Sequence, residues 1–378
     1  MKAVINGRII LKDRLLDGKA LVFNEKIKGF FDAENIPEGA DTIDAAGAYV
    51  SPGLIDIHIH GCFGEDASDG DEAGIIKMSK GLAQTGVTAW LPTTMTVPPP
   101  QIKKAFAAIR AARSKNGSHN GAAVLGANME GPYLNKKRKG AHIEEYLLMP
   151  DAEFIRENSD VMRLVTIAPE IDNDFRAIRA ASEAGVTVSI GHSDADYETA
   201  AAGMANGIKH ATHLFNAMSP LNHRDPGVVG AALTHGITVE LIADTFHIHR
   251  ELFDLLYKIK KNKLILITDS VRAGGLPDGE YDLGGQRIVL RGIECRLPDG
   301  TIAGSVLTMM GAVKNMSVNT GVPLHEIIAC ASLYPARVVG ADGSKGSLET
   351  GKDADITIFG GDFGIIKTII GGRVVYEA

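Results

Sequence analysis

The sequence predicts an α/β fold, a (β/α)8 barrel of the TIM type beside a small β-sandwich built from both termini, and three observations predict it. Eight short apolar or β-branched runs in the middle of the chain alternate with segments of helical periodicity, the pattern of parallel strands joined by crossover helices. Six residues of metal-ligating type, His58, His60, Glu130, His192, His213 and Asp269, fall where those runs end. In a closed barrel the carboxyl ends of different strands converge on one face, so ligands far apart in sequence can surround one ion. Both ends of the chain instead read as short strands cut by turns.

From the start, Ala3 to Ile5, Arg8 to Leu11, Ala20 to Phe23 and Lys26 to Phe30 are β-like runs, separated by Asn6-Gly7 and Asn24-Glu25. The tail repeats the pattern, with Asp355 to Phe359, Ile365 to Ile370 and Arg373 to Tyr376 divided by paired glycines. Residues 1–50 and 341–378 are therefore expected to form one sandwich, with the barrel over 51–340. The barrel strands are expected at 54–60, 87–93, 122–129, 163–169, 186–191, 209–215, 238–244 and 263–268. Helices are expected over Glu72 to Thr85, Gln101 to Arg113, Asp174 to Ala184, Tyr197 to Asn206 and Arg250 to Lys260, with Gly86 and Gly185 as stops. No Gly-x-Gly-x-x-Gly turn follows the first barrel strand, which argues against an open dinucleotide-binding sheet. The Gly-rich stretch 274–304 reads as a hairpin insertion over the mouth, and helices over Ser305 to Asn319 and Leu324 to Ala331 lead back to the tail.

Composition bounds the function. With 378 residues, 45% hydrophobic and 22% charged, the chain is ordinary globular material. A net charge of -7 offers no general basic field to nucleic acid or an anionic membrane, so any anionic substrate must be held by a few local donors. No run approaches the roughly 18 apolar residues of a membrane span, and the first residues do not read as a secretory signal. Cys62, Cys295 and Cys330 are too scattered for a disulfide framework or a zinc finger, which suits a cytoplasmic setting.

On the first barrel strand, alternation is expected to turn Asp56, His58 and His60 to one face and the isoleucines to the other, so both imidazoles reach a common ion. Glu130 closes its strand before Gly131-Pro132, where a buried carboxylate needs a cation. With His192 and His213 it makes an open three-ligand site of the catalytic kind, with room for water. Asp269 ends the last strand, from which a carboxylate can take a proton from an activated water. His210, three residues before His213, is expected to face the helices. His142, His223, Arg224, His247 and His249 lie in loops near strand ends, and His119, His235 and His325 read as surface or helix-end residues. No Gly-x-Ser-x-Gly, Ser-His-Asp or phosphate-loop pattern competes.

The segments Pro52-Gly53-Leu54-Ile55-Asp56-Ile57-His58-Ile59-His60-Gly61, Glu130-Gly131-Pro132-Tyr133, Gly191-His192-Ser193, Thr212 to Met218, Thr268-Asp269-Ser270 and Gly351 to Asp355 resemble the amidohydrolase superfamily, nearly end to end, and within it the amino-sugar-phosphate deacetylases. The resemblance implies metal-dependent hydrolysis of N-acetylglucosamine 6-phosphate to glucosamine 6-phosphate and acetate. The galactosamine epimer or another amide is the alternative substrate, and a non-catalytic scaffold the remote one. It implies that Glu130, His192 and His213 hold the main divalent ion, zinc or iron, with one or two per subunit, and that Asp269 is base and then acid. It further implies a catalytic contact of His142 near the acyl group. Asn216, Ala217, Arg224, His247 and Leu307 are implied to bind substrate, with Arg224 reaching the neighbouring site of a homodimer. Strand four, Val165 to Glu170, carries no lysine that could bridge two metals, which leaves Glu130 as the bridging candidate and His58 with His60 for a second ion.

Overall fold

A computed structural model describes all 378 residues. Its centre is a parallel barrel of β1 (Leu54–Ile59), β2 (Val87–Thr94), β3 (Ala127–Glu130), β4 (Met162–Thr166), β5 (Thr187–Ile190), β6 (Ile208–Ala211), β7 (Thr238–Ile242) and β8 (Leu264–Ile267). Each of these strands pairs in parallel with the next, from β1 through β8. The seam between β8 and β1 is closed by single bonds: Asp269 N–H donates to His58 O and His60 N–H to Ser270 O, each at 2.9 Å.

The eight expected strands are all present, and several end early for local reasons. The sixth stops at Ala211 rather than 215, because the chain enters a turn in which His213, Phe215 and Ala217 have positive φ. Helices occupy the expected intervals, among them Glu72–Gln84, Tyr197–Ala205 and Glu251–Lys260. Gly86 and Gly185 follow two of them with φ of +85° and +75°, as left-handed stops should. Three short helices carried no clear sequence signal: Ala152–Glu157, Gly227–Thr234 and Leu333–Val338. Residues 305–308, expected as helix, are not part of one; the helix begins at Met309, capped by the Thr308 hydroxyl at Gly311 N.

Inside the barrel, apolar and polar layers separate. Ile55, Ile57, Ala89, Leu164, Ile265 and Ile267 form one buried cluster with Val339 and with Ala336 of the last helix, whose Val338 carbonyl accepts the Thr187 hydroxyl at the start of β5. That helix plugs the amino-terminal end, and the opposite end is left to polar groups. Strand Tyr49–Pro52 pairs with Ile356–Phe359, so the two chain ends share a six-stranded sheet, and Lys2–Ile5 lies in a four-stranded one. Val4, Ile9, Leu21, Phe23, Ile356 and Ile369 belong to the separate core there. The insertion is a three-stranded meander, Gly279–Leu283, Gln286–Arg291 and Glu294–Arg296, one strand more than a hairpin. No helix is long and apolar enough to cross a membrane.

Candidate active site

The six predicted ligand residues meet at the carboxyl end of the barrel. Strict alternation alone does not bring them there. The β1–β2 ladder shifts register between Trp90 and Pro92, opposite Asp56 to Ile59, which marks a bulge. Past it, His58 and His60 both turn to the site, while Asp56 does not share their face. Its carboxylate instead accepts the Thr268 hydroxyl at 2.6 Å across the β1–β8 seam. Burial, the largest influence on it, pushes Asp56 up to about 7.

His192, His213 and Asp269 lie just beyond their strands with φ of 49°, 25° and 51°. Such conformations are uncommon outside glycine, and buried strain of this kind clusters at functional sites. Gly191 allows the turn at His192: a Cβ there would stand 2.7 Å from Thr212 Cβ and 2.8 Å from Thr166 Cγ2. Glu170 fixes the same turn by accepting from Ser193 Oγ and Asp194 N, each at 2.7 Å.

Glu130 is the hub. Its Oε2 faces His58 and His60 at 3.4 and 2.9 Å, and its Oε1 faces His192 and His213 at 3.2 and 2.9 Å. Asp269 Oδ1 lies 3.4 Å from His58 Nε2 and 3.3 Å from His60 Nε2. Burial by itself raises both carboxyl groups, yet the surrounding imidazoles outweigh it and hold Glu130 and Asp269 below the usual carboxylate range. His60 moves the other way: burial lowers it, but Asp269 and Glu130 prevail and raise it to about 9.

Hydrogen bonds at the far nitrogens decide what three of the four rings offer, the buried Nδ1 of His213 having no partner. His192 Nδ1 donates to Arg138 O at 2.7 Å, His60 Nδ1 to Thr93 O at 3.2 Å and His58 Nδ1 to Glu240 at 2.9 Å. With the Nδ1 proton held in this way, an ion would displace only the Nε2 proton, and the Nε2 lone pair would then point into the site. His58 Nε2 is buried and makes no hydrogen bond. Nitrogen and carboxylate donors so arranged fit a divalent transition metal. His58, His60, Glu130 and Asp269 offer one set of ligand atoms within 4.8 Å of one another, and Glu130, His142 and His192 another.

His142 differs from the rest. Its Nδ1 accepts the Thr96 N–H at 3.2 Å and lies 2.8 Å from the Thr96 hydroxyl, so its proton belongs on Nε2, which faces Glu130 at 3.5 Å. Burial lowers it to about 4 and keeps it neutral. His142 stands close enough to Glu130 and His192 to ligate, but its tautomer makes it a donor into the cavity.

A cavity of about 370 Å³ opens above this cluster, in the range of small-molecule sites. His142, Asn216, Ala217 and His247 line it, and Leu283, Thr301, Ile302 and Gly304 of the insertion and its return form part of the wall. His247 Nδ1 is held by Asp244 at 2.6 Å. Arg224 is exposed and does not line the cavity; Leu307 is partly buried against two apolar clusters and does not line it either. His119 is buried rather than at the surface.

Three features escaped the sequence reading. Lys137 and Arg138 line the cavity, both paired with Asp194. His210 points into the barrel, where its Nε2 meets Glu240 at 3.0 Å; its parity with His213 misled because His213 lies past the strand end. Glu240 itself was overlooked, although a lone carboxylate in the run Thr238-Val239-Glu240-Leu241-Ile242 signals a buried polar partner.

Comparison with known proteins fixes the class: the chain belongs to the amidohydrolase family, whose model matches residues 49–375. Among curated relatives it is 40% identical over 385 residues to the N-acetylglucosamine-6-phosphate deacetylase of Bacillus subtilis, covering 99% of this chain and 96% of that one. It is 39% identical over 328 residues to the N-acetylgalactosamine-6-phosphate deacetylase of Escherichia coli O157:H7, covering 85% and 86%. The crystal structure of N-acetylglucosamine-6-phosphate deacetylase from Pasteurella multocida superposes with a TM-score of 0.95 at 34% identity over the whole of both chains.

Proposed function

We propose that the chain hydrolyses the acetamide of N-acetylglucosamine 6-phosphate, releasing glucosamine 6-phosphate and acetate in amino-sugar catabolism. One observation carries the reading: a single buried carboxylate, Glu130, faces two imidazole pairs at the base of a cavity that also presents Asp269 and a neutral His142 N–H. In this reading Glu130, His192 and His213 would hold one divalent ion, and His58, His60 and Asp269, together with Glu130, could hold a second. Zinc or iron suits the nitrogen-rich donors. When bound, such an ion polarises the acyl carbonyl and lowers the pKa of water. The protein's own groups do the rest: Asp269 takes the water's proton and returns it to the departing amine, while His142 Nε2–H hydrogen-bonds the acyl oxygen as it gains charge. Asn216, Ala217 and His247 hold the sugar phosphate. Residues 51–340 form the catalytic unit, with 1–50 and 341–378 as the companion sandwich. A cytoplasmic setting suits the three free, buried cysteines.

The test is steady-state kinetics on the 6-phosphates of N-acetylglucosamine and N-acetylgalactosamine and on unphosphorylated N-acetylglucosamine. The gluco phosphate should have the highest kcat/KM. Faster turnover of the galacto epimer would move the assignment to the function of the second relative, and no turnover of any would refute deacetylation.

The phosphate also singles out Arg224, which has no carboxylate partner in its own chain and lies three residues after Leu221, an exposed leucine. We infer a homodimer in which this arginine crosses to the neighbouring cavity. Arg224→Ala should weaken the phosphorylated substrate at least about tenfold more than the unphosphorylated one, since a hydrogen bond to a charged group contributes roughly 1.5–3 kcal/mol. Mixing Arg224→Ala with Asp269→Asn chains should restore activity, because the site with intact Asp269 then receives an intact arginine. Equal losses on both substrates would remove the phosphate role, and inactive verified heterodimers the crossing.

A further inference from the structure

Glu240 is fully buried in the barrel and does not line the substrate cavity, yet it touches the candidate metal centre from below at two points. Its Oε2 lies 2.9 Å from His58 Nδ1 and 2.9 Å from the backbone nitrogen of His213. These two histidines stand on opposite sides of Glu130, one facing Oε2 and the other Oε1. The other oxygen of Glu240 is 3.0 Å from His210 Nε2, and His210 Nδ1 continues to the Thr238 hydroxyl at 2.6 Å. A carboxylate without its proton can only accept. His58 must then donate from Nδ1, and His210 from Nε2.

A purely structural pair, Glu240 with His210, would explain the third contact but not the first two. The His213 backbone has a φ of 25°, and its N–H ends on the same oxygen that orients His58. We propose that Glu240, held by His210, is a positioning residue that sets His58 in the tautomer with Nε2 free for an ion and pins the turn presenting His213. The inference rests on the metal-centre reading above and names the layer behind it. Carboxylates behind ligating imidazoles fix their tautomer and raise their basicity, and losing one lowers metal affinity by roughly 10–100-fold.

The experiment pairs Zn2+ titration against a competing chelator with ¹⁵N-histidine ring spectra of the Zn2+-loaded parent, Glu240→Gln and Glu240→Met. Gln keeps an oxygen for His58 and His213 but not the charge; Met removes the acceptor. The expected result is a His58 proton on Nδ1 alone in the parent, and weaker Zn2+ binding in the order parent, Gln, Met, with at least about a tenfold fall for Met. If the Met variant does not fold, the Gln variant decides, with an expected fall of severalfold or more. A proton on His58 Nε2 in the parent, or unchanged Zn2+ affinity in the folded variants, overturns the inference. A parent that takes up one ion instead of two sinks the two-ion reading separately, and the His58 ring spectrum then decides the inference by itself.

Discussion

Asp269→Asn is expected to fold, to keep the ion assigned to Glu130, His192 and His213, and to lose about 10²–10⁴-fold in kcat, the usual contribution of a positioned acid–base group. The backbone argues for an intact fold. Asp269 N–H donates to His58 O at 2.9 Å and its carbonyl accepts from Ser305 N at 2.8 Å, so the residue is fixed on both sides without its side chain. Its φ of 51° lies in the left-handed region, which asparagine tolerates better than most residues. The chemistry argues for the loss. An amide cannot accept the water's proton, and His142, whose proton faces the cavity on Nε2, cannot substitute as a base there. Rate measurements on protein of verified metal content check this, and a loss of only a few-fold would remove Asp269 from the role.

Much of this architecture was readable from the sequence because it is periodic. Eight apolar runs spaced by helical segments leave few alternatives to a closed barrel, and a histidine or carboxylate at the end of such a run has one place to go. What the sequence hid were departures from period. The bulge in β1 separates Asp56 from His58, and only the register against Trp90 and Pro92 reveals it. The left-handed turn at His213 broke the alternation used to place His210. Thr96, which sets the His142 tautomer, comes from a loop, and Lys137 and Arg138, which line the cavity, come from a single 3-10 turn, Lys136–Arg138; neither carries a periodic signal. Glu240 was legible on physical grounds: an ionisable side chain with apolar neighbours along a buried strand must find a partner, the same argument that singled out the β1 histidines.

Glu130→Gln should have a comparable or larger effect, and a different signature. No other carboxylate faces both imidazole pairs: Asp269 reaches His58 and His60, while His192 and His213 have only Glu130. The fully loaded parent is expected to hold two ions per chain, and the variant to lose measurable occupancy at both positions. Replacing His58 and His60 together should instead leave one ion. Activity of Glu130→Gln should fall at least about a thousandfold, because a catalytic metal supplies several kcal/mol of transition-state stabilisation and each 1.36 kcal/mol is tenfold in rate. Metal analysis separates this from a folding defect: added Zn2+ should raise the unfolding temperature of the parent and not that of the variant. A parent that saturates at one ion would refute the shared-carboxylate arrangement, since Glu130 Oε2 would then face His58 and His60 without a metal between them. A variant that still binds two ions tightly would show that the imidazoles and Asp269 suffice, and would demote Glu130 from hub to bystander.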